Sequence, residues 1–396
     1  MRLSRVWCAA LIAAAVVPGC KKKAKDADDK AAKPVDDQGG MTPTGSGAMA
    51  GSAAMAGSAA TAPAKAATGD DMAKRYVECW GYFSGKDWKS FEGCYSKDIT
   101  SDFVDSGMPP VTSFADITDK HNKPIVDAFP DIKGDVEVTL INGHQGATVA
   151  LMTGTQSGVL KTAMGDIPAS NKKIGMQVAH VVHFTDDGKA VDKEWFYQDL
   201  GEMMGQIGAS KAPARPAADK PMQANEVVVA KDDDTEKKNL ESAKALMDNF
   251  NKRDFKALDA SFDPKLVWSE QGVAKDFNGK DETVKAHQGL VKAFSDVKFT
   301  SETMWAAGDY VAWQGTMSGT NDGAAPEMGI AKPTKKPINV KFFQLLKYGK
   351  DGKLVGSWGF WNSAAMAMQL GMMGPPPAAG GDKAPEKAPA KAPAKK

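Results

Sequence analysis

Six short landmarks occur twice in this chain, in the same order. Phe83-Ser84-Gly85-Lys86-Asp87-Trp88-Lys89 parallels Phe250-Asn251-Lys252-Arg253-Asp254-Phe255-Lys256, and Ala128-Phe129-Pro130-Asp131 parallels Ala293-Phe294-Ser295-Asp296. Gly154-Thr155-Gln156-Ser157-Gly158 is matched to Gly315-Thr316-Met317-Ser318-Gly319. Asp187-Gly188-Lys189 parallels Asp351-Gly352-Lys353, Trp195 parallels Trp358, and Gln206-Ile207-Gly208 parallels Gln369-Leu370-Gly371. The distance between partners is too long for a solenoid unit, so a whole domain has been copied head to tail. One topology must therefore serve both 71–208 and 236–374, each the length of an ordinary domain.

The flanks read differently. Met1-Arg2-Leu3-Ser4-Arg5 is a basic start, and Val6 to Val17 is an apolar run too short to span a membrane. Val17-Pro18-Gly19-Cys20 follows. Residues 1–19 resemble a bacterial lipoprotein signal peptide, which implies that Cys20 becomes the first residue and carries a lipid that makes the membrane a partner. An ordinary secretory signal with a coincidental Cys is the alternative. Lys21, where Asp would favour the inner membrane, implies by the same resemblance the outer membrane of a Gram-negative envelope. Residues 20–70 are Ala, Gly, Ser and Lys without apolar periodicity, and are expected to be a disordered tether. Residues 209–235, with Pro213, Pro216 and Pro221, read as a linker, and 375–396 as a disordered Ala/Pro/Lys tail. Cys79 and Cys94 remain for an oxidising compartment, on helix-like stretches joined by Ser84-Gly85-Lys86-Asp87. A disulfide is expected there, with two buried free thiols as the alternative.

Each copy begins with apolar residues at helical spacing: Tyr76, Cys79, Trp80 and Phe83 in one, Leu240, Ala243, Leu246, Met247 and Phe250 in the other. A second short helix and a third, ending at Phe129 or Phe294, come next. Strand-like runs follow, the longest being Met176 to Phe184 and Ile338 to Tyr348, each leading through an Asp-Gly turn to a last strand. Helices first and antiparallel strands after imply an α+β fold. A net charge of +1 excludes a general electrostatic attraction to nucleic acid, and none is expected as a partner.

These landmarks resemble the SnoaL-like polyketide cyclase family, within the NTF2-like and ketosteroid-isomerase-like fold group. The resemblance implies two tandem cones, each of three helices against a curved, mainly antiparallel sheet, enclosing an apolar cavity. It also implies that Asp199, four residues after Trp195, acts as acid and base in the first cavity. On a strand, Trp195, Tyr197 and Asp199 share a face, so Trp195 and Tyr197 are expected to line that cavity, and Trp358 and Asn362 the second. His180 and His183 stand on opposite faces of the neighbouring strand; His183 is the candidate second polar group. The alternative for Asp199 is a cap on the following helix.

Departures weigh against an enzyme. Asn362 replaces Asp199 in the second copy and cannot act as a base, Gln344 and Lys347 replace the two histidines, and the His that often follows the family's Gly-Thr is Gln156 or Met317. No metal-binding spacing joins the five histidines, and no cofactor motif is present, so neither metal nor cofactor is expected. The first expectation is an envelope-anchored, non-catalytic protein holding a small apolar ligand. A structural envelope module comes second. A cofactor-free cyclase or isomerase using Asp199 comes third. The two copies either pack as an internal pseudo-dimer or move independently.

Overall fold

The computed structural model describes residues 66–162, 165–211 and 214–373. The signal segment, Cys20, nearly all of the tether and the tail from 375 lie outside the described residues.

The first lobe runs α1 (Gly69–Gly85), α2 (Trp88–Glu92), β1 (Tyr95–Phe103) and α3 (Phe114–Ile117), then a π-helical turn and α4 (Lys123–Ala128). β2 (Lys133–Asn142), β3 (Gln145–Thr155), the small hairpin β4 (Leu160–Thr162) and β5 (Gly165–Ile167), β6 (Lys173–Phe184), β7 (Val191–Tyr197) and α5 (Leu200–Gln206) complete it. A further strand, β8 (Glu226–Val229), leads to the second lobe: α6 (Asp234–Asn251), α7 (Phe255–Ser261), β9 (Phe262–Glu270), β10 (Phe277–Asn278) and α8 (Lys280–Ala293). Then come β11 (Lys298–Ala307), β12 (Tyr310–Thr320), β13 (Pro337–Tyr348), β14 (Leu354–Trp361) and α9 (Ser363–Gln369).

The sheets are ordered β1-β7-β6-β3-β2-β8 and β10-β9-β14-β13-β12-β11, so one five-strand pattern is used twice. β1 pairs with β7, and β9 with β14, in parallel; the other pairings within that pattern are antiparallel. Both lobes are α+β. β8 pairs in parallel with β2, so the stretch read as a linker supplies the edge strand of the first sheet.

Local chemistry explains the elements. Thr68 and Asp71 form a reciprocal capping box on α1, and Met72, Tyr76, Cys79, Trp80 and Phe83 make its buried stripe. Asp87 and Asp254 each cap the next helix, accepting from the N–H of Ser90 and Ala257. Cys79 and Cys94 form a disulfide that ties α1 to the start of β1. Asp131 and Asp296 each accept a backbone N–H, from Thr155 and Thr320, at 2.6 Å.

That last pair corrects one landmark. The counterpart of Gly154-Thr155-Gln156-Ser157-Gly158 is Gly319-Thr320-Asn321-Asp322-Gly323, not the run beginning at Gly315. A Cβ on Gly158 would lie 2.0 Å from the Asp127 carbonyl oxygen, and one on Gly323 equally close to that of Lys292. Gln156 and Asn321 both spend their amides on the loop backbone around them, so neither faces a cavity as an acid or base.

Strand alternation sorts the core into three parts. On β6, Met176, Val178, Val182 and Phe184 join the first lobe's helices, while Ala179 and Val181 point the other way. On β13, Val340, Phe342 and Leu346 face inward, and Phe343 and Leu345 outward. The outward residues of both sheets form one shared cluster, containing Leu140, Val149, Val181 and Tyr197 with Trp305, Tyr310, Phe343 and Phe360. The lobes thus meet sheet against sheet along a buried seam.

Candidate functional site

Even-numbered residues of β6, with Glu194 and Phe196 of β7, face the first lobe's interior, a cavity of about 980 Å³. Tyr76, Trp80, Phe91, Phe103, Met152 and Phe196 supply apolar wall. Set into it is a buried polar pair: His180 Nε2 lies 2.7 Å from Glu194 Oε2. Ser101 Oγ donates to the other carboxylate oxygen, and the Tyr95 hydroxyl also bonds to the group. Burial pushes the Glu194 carboxyl up. The facing His180 and the hydrogen bonds from His180, Ser101 and Tyr95 outweigh it and hold Glu194 below the ordinary glutamate range. Among the described residues nothing hydrogen-bonds His180 Nδ1. A carboxylate thus fixes one ring nitrogen and leaves the other open, the arrangement that presents an imidazole for hydrogen bonding or proton transfer.

His121, from the π-helical turn, stacks on Phe103 with ring centroids 3.4 Å apart. Burial pushes its pKa down to about 4, partly opposed by Glu194, so it is neutral at physiological pH. Arg75, Lys120, Lys161 and Lys211 also line this cavity, with Glu194 as the single acid among its described lining residues. The second lobe takes part as well: Met328, Met368 and Met372 line the same space.

The second lobe encloses about 450 Å³. Its carboxylate comes from a different strand. Ser357 occupies the place of Glu194, and Glu270 of β9 enters from the place of Phe103. Trp268 Nε1 donates to Glu270 Oε1 at 2.6 Å, Trp361 Nε1 to Oε2 at 3.1 Å, and Gln344 Nε2 to Oε1 at 3.2 Å. Gln344 stands where the first lobe has His180. His287 of α8 packs edge-on against Trp268 and bonds the Thr283 carbonyl; burial pushes its pKa down to about 4.

The residues singled out from sequence lie elsewhere. Trp195, Tyr197 and Trp358 pack at the seam, on the opposite strand faces from the cavities. Tyr197 accepts there from Gln314 Nε2 at 2.9 Å. Asp199 is buried and caps α5; its Oδ1 accepts from Gly201 N at 2.9 Å, Ser363 N at 2.9 Å and Ser363 Oγ at 2.7 Å. Asn362 caps α9 and donates to the Asp105 carbonyl at 3.0 Å. His183 is half-exposed and paired with Asp192 at 2.7 Å. None of these six lines either cavity. The cause is physical: both faces of each sheet are buried and apolar, so hydrophobic pattern does not distinguish the cavity face from the seam. His180, Glu194 and Glu270 carry the polar chemistry instead. No sequence signal sets Glu194 and Glu270 apart, since each strand carries a second acid, Asp192 in β7 and Asp263 in β9.

The sequence profile of a family described as SnoaL-like polyketide cyclase matches residues 70–207 and again 241–370. Among curated proteins none matches. Solved structures similar to the chain include a SnoaL-like protein from Jannaschia sp. CCS1, at 18% identity and TM-score 0.33 over 35% of this chain and 96% of that one. AclR from Streptomyces galilaeus matches at 22% identity and TM-score 0.31, over 35% of this chain and 98% of its own. IdmH from Streptomyces antibioticus matches at 22% identity and TM-score 0.30, over 34% and 98%.

Proposed function

From the premise that the chain belongs to the SnoaL-like polyketide cyclase family in both halves, we propose that its first lobe binds a small, largely apolar molecule and holds one polar group of it at His180. The observation that carries this reading is the aromatic-walled cavity of about 980 Å³ with a single buried His–Glu pair set in its wall. Cavities of this size take ligands of tens of heavy atoms, and a few converging polar groups set orientation. The basic lining favours a ligand that is neutral or carries an acidic group. In the same proposal Cys20 carries a lipid that holds the protein at the cell envelope, on the outer membrane, and the lobe binds without turnover.

The anionic apolar dye anilinonaphthalene sulfonate is the direct probe. We expect saturable binding to the chain, weakened at least about tenfold by Met152→Trp, which pushes a larger ring into the cavity wall. No binding, or binding indifferent to that change, rejects the reading. Palmitate labelling in cells, lost in Cys20→Ala, tests the anchor.

The open Nδ1 of His180 favours a second reading, acid–base catalysis on an enolisable carbonyl. Here His180 takes the proton and Glu194 stabilises the imidazolium. Turnover of a diketone, abolished by His180→Gln and retained in Asp199→Asn, distinguishes catalysis from binding alone.

A further inference from the structure

The second cavity is shaped around a carboxylate, Glu270, that has no ion-pair partner among the described residues. Glu270 and Gly359 stand where the first lobe has Phe103 and Phe196. A Cβ on Gly359 would lie 2.0 Å from Glu270 Oε2, so the missing side chain is what makes room for the carboxylate. A Cβ on Gly272 would lie 2.2 Å from the Trp361 ring, so a second glycine seats one of the donors. The three groups that hold Glu270, two indoles and an amide, are all neutral. They orient the carboxylate without cancelling its charge.

Nearby cations do not cancel it either. Arg215 gives Nη1 to Asp276 at 2.7 Å, and Nη2 to the backbone oxygen of Glu270 at 3.0 Å. His287 is neutral. Lys285 also lines the cavity, where Glu327 offsets it, while Glu282 is paired with Lys275 at 2.9 Å. Among the described residues none forms an ion pair with the Glu270 carboxylate. An ionised group buried without a partner is costly, and an arriving opposite charge recovers that cost.

We infer that the second lobe is a separate binding site for a small amine with an apolar body: the ammonium pairs with Glu270, and the body packs against Trp268, Trp313 and Phe342. The site does not depend on the reading of the first lobe. There Lys120 is paired with Asp116, and Arg75, Lys161 and Lys211 against Glu194 still give the lining the opposite sign, which disfavours the same ligand. The two cavities therefore select different chemistry.

Protonation provides an independent handle. Burial raises the Glu270 pKa; the hydrogen bonds from Trp268, Gln344 and Trp361, and Arg215 nearby, offset only part of this. Arg215 with Asp276, the neutral His287, and the lining residues Glu282, Lys285 and Glu327 are the other charged or titratable groups around it. Amine binding must therefore fade on acidification before an ordinary glutamate would titrate.

The test is calorimetric titration of the full chain with naphthylmethylamine and with naphthylmethanol, its neutral isostere. The amine should bind at least about tenfold more tightly at neutral pH. Glu270→Gln should erase that preference. In the unmutated protein the amine-to-alcohol ratio should shrink as the pH is lowered towards the ordinary glutamate range, which keeps the test decisive if the variant does not fold. Equal affinities, absence of saturable amine binding, a preference that survives Glu270→Gln, or a ratio indifferent to pH would each overturn the assignment.

Discussion

Asp199 is the residue whose role changes most between sequence and structure. It is a junction, capping its own helix while gripping Ser363 of the other lobe. Burial pushes its pKa up to about 6, with the Ser363 and Gly201 hydrogen bonds opposing. Glu202, one turn along α5, is pushed up to about 8 by burial and then by Asp199, with Arg215 opposing. Acids whose folded pKa is raised bind protons more tightly in the folded state. Their stabilising contribution is complete below the unfolded values, near 4, and is lost as pH rises through about 6 for Asp199 and about 8 for Glu202. Denaturation midpoints should therefore fall between about pH 4 and pH 8 from this pair. Asp199→Asn with Glu202→Gln should flatten that slope, since an amide oxygen still accepts the capping bonds, as Asn362 does. An unchanged slope in the double variant would refute this account. The sequence reading named capping as the alternative for Asp199. What it lacked was the second buried face: one side of β7 meets a cavity and the other a seam, and both demand apolar residues.

The elements were more legible, because helical stripes and an Asp-Gly turn are local signals. β1 and β9 went unread, since Tyr95–Phe103 and Phe262–Glu270 mix charged and apolar residues and pair in parallel with a strand far along the chain. That omission hid Glu270. One repeated device was visible but unexplained. Lys86 and Arg253 follow the first helix of each lobe with φ of 59° and 62°, in the left-handed region that favours glycine. Each cation lies over the preceding phenylalanine ring, at 5.2 and 5.4 Å, and donates to the carbonyl just ahead of β2 or β11, that of Ile132 or Val297. Replacing Arg253 by Ala should cost about 1–2 kcal/mol in urea unfolding, because it keeps the strained φ and loses both contacts. Gly should recover part of that loss. The disulfide is a staple of the first lobe alone; Leu246 fills the place of Cys79 in the second. Cys79→Ala with Cys94→Ala should cost about 3 kcal/mol for a loop of this length. Thermal unfolding with and without reductant checks it.

At the scale of the whole molecule the seam dominates. It buries large rings from both sheets, and Asn142 reaches the Ala306 carbonyl while Lys341 N–H reaches Asp105 across it. The lobes should therefore melt in one cooperative transition by calorimetry. Residues 66–208 expressed alone should self-associate through the bared sheet, and a soluble monomer of that fragment would contradict this. Two copies of one polypeptide meeting in this way would share a single gene, and any change to one pocket would appear at once in the other. Covalent fusion lifts that obligation. A glycine can replace a phenylalanine in one hollow while its twin keeps the ring, so specialisation in one half need not disturb inheritance in the other.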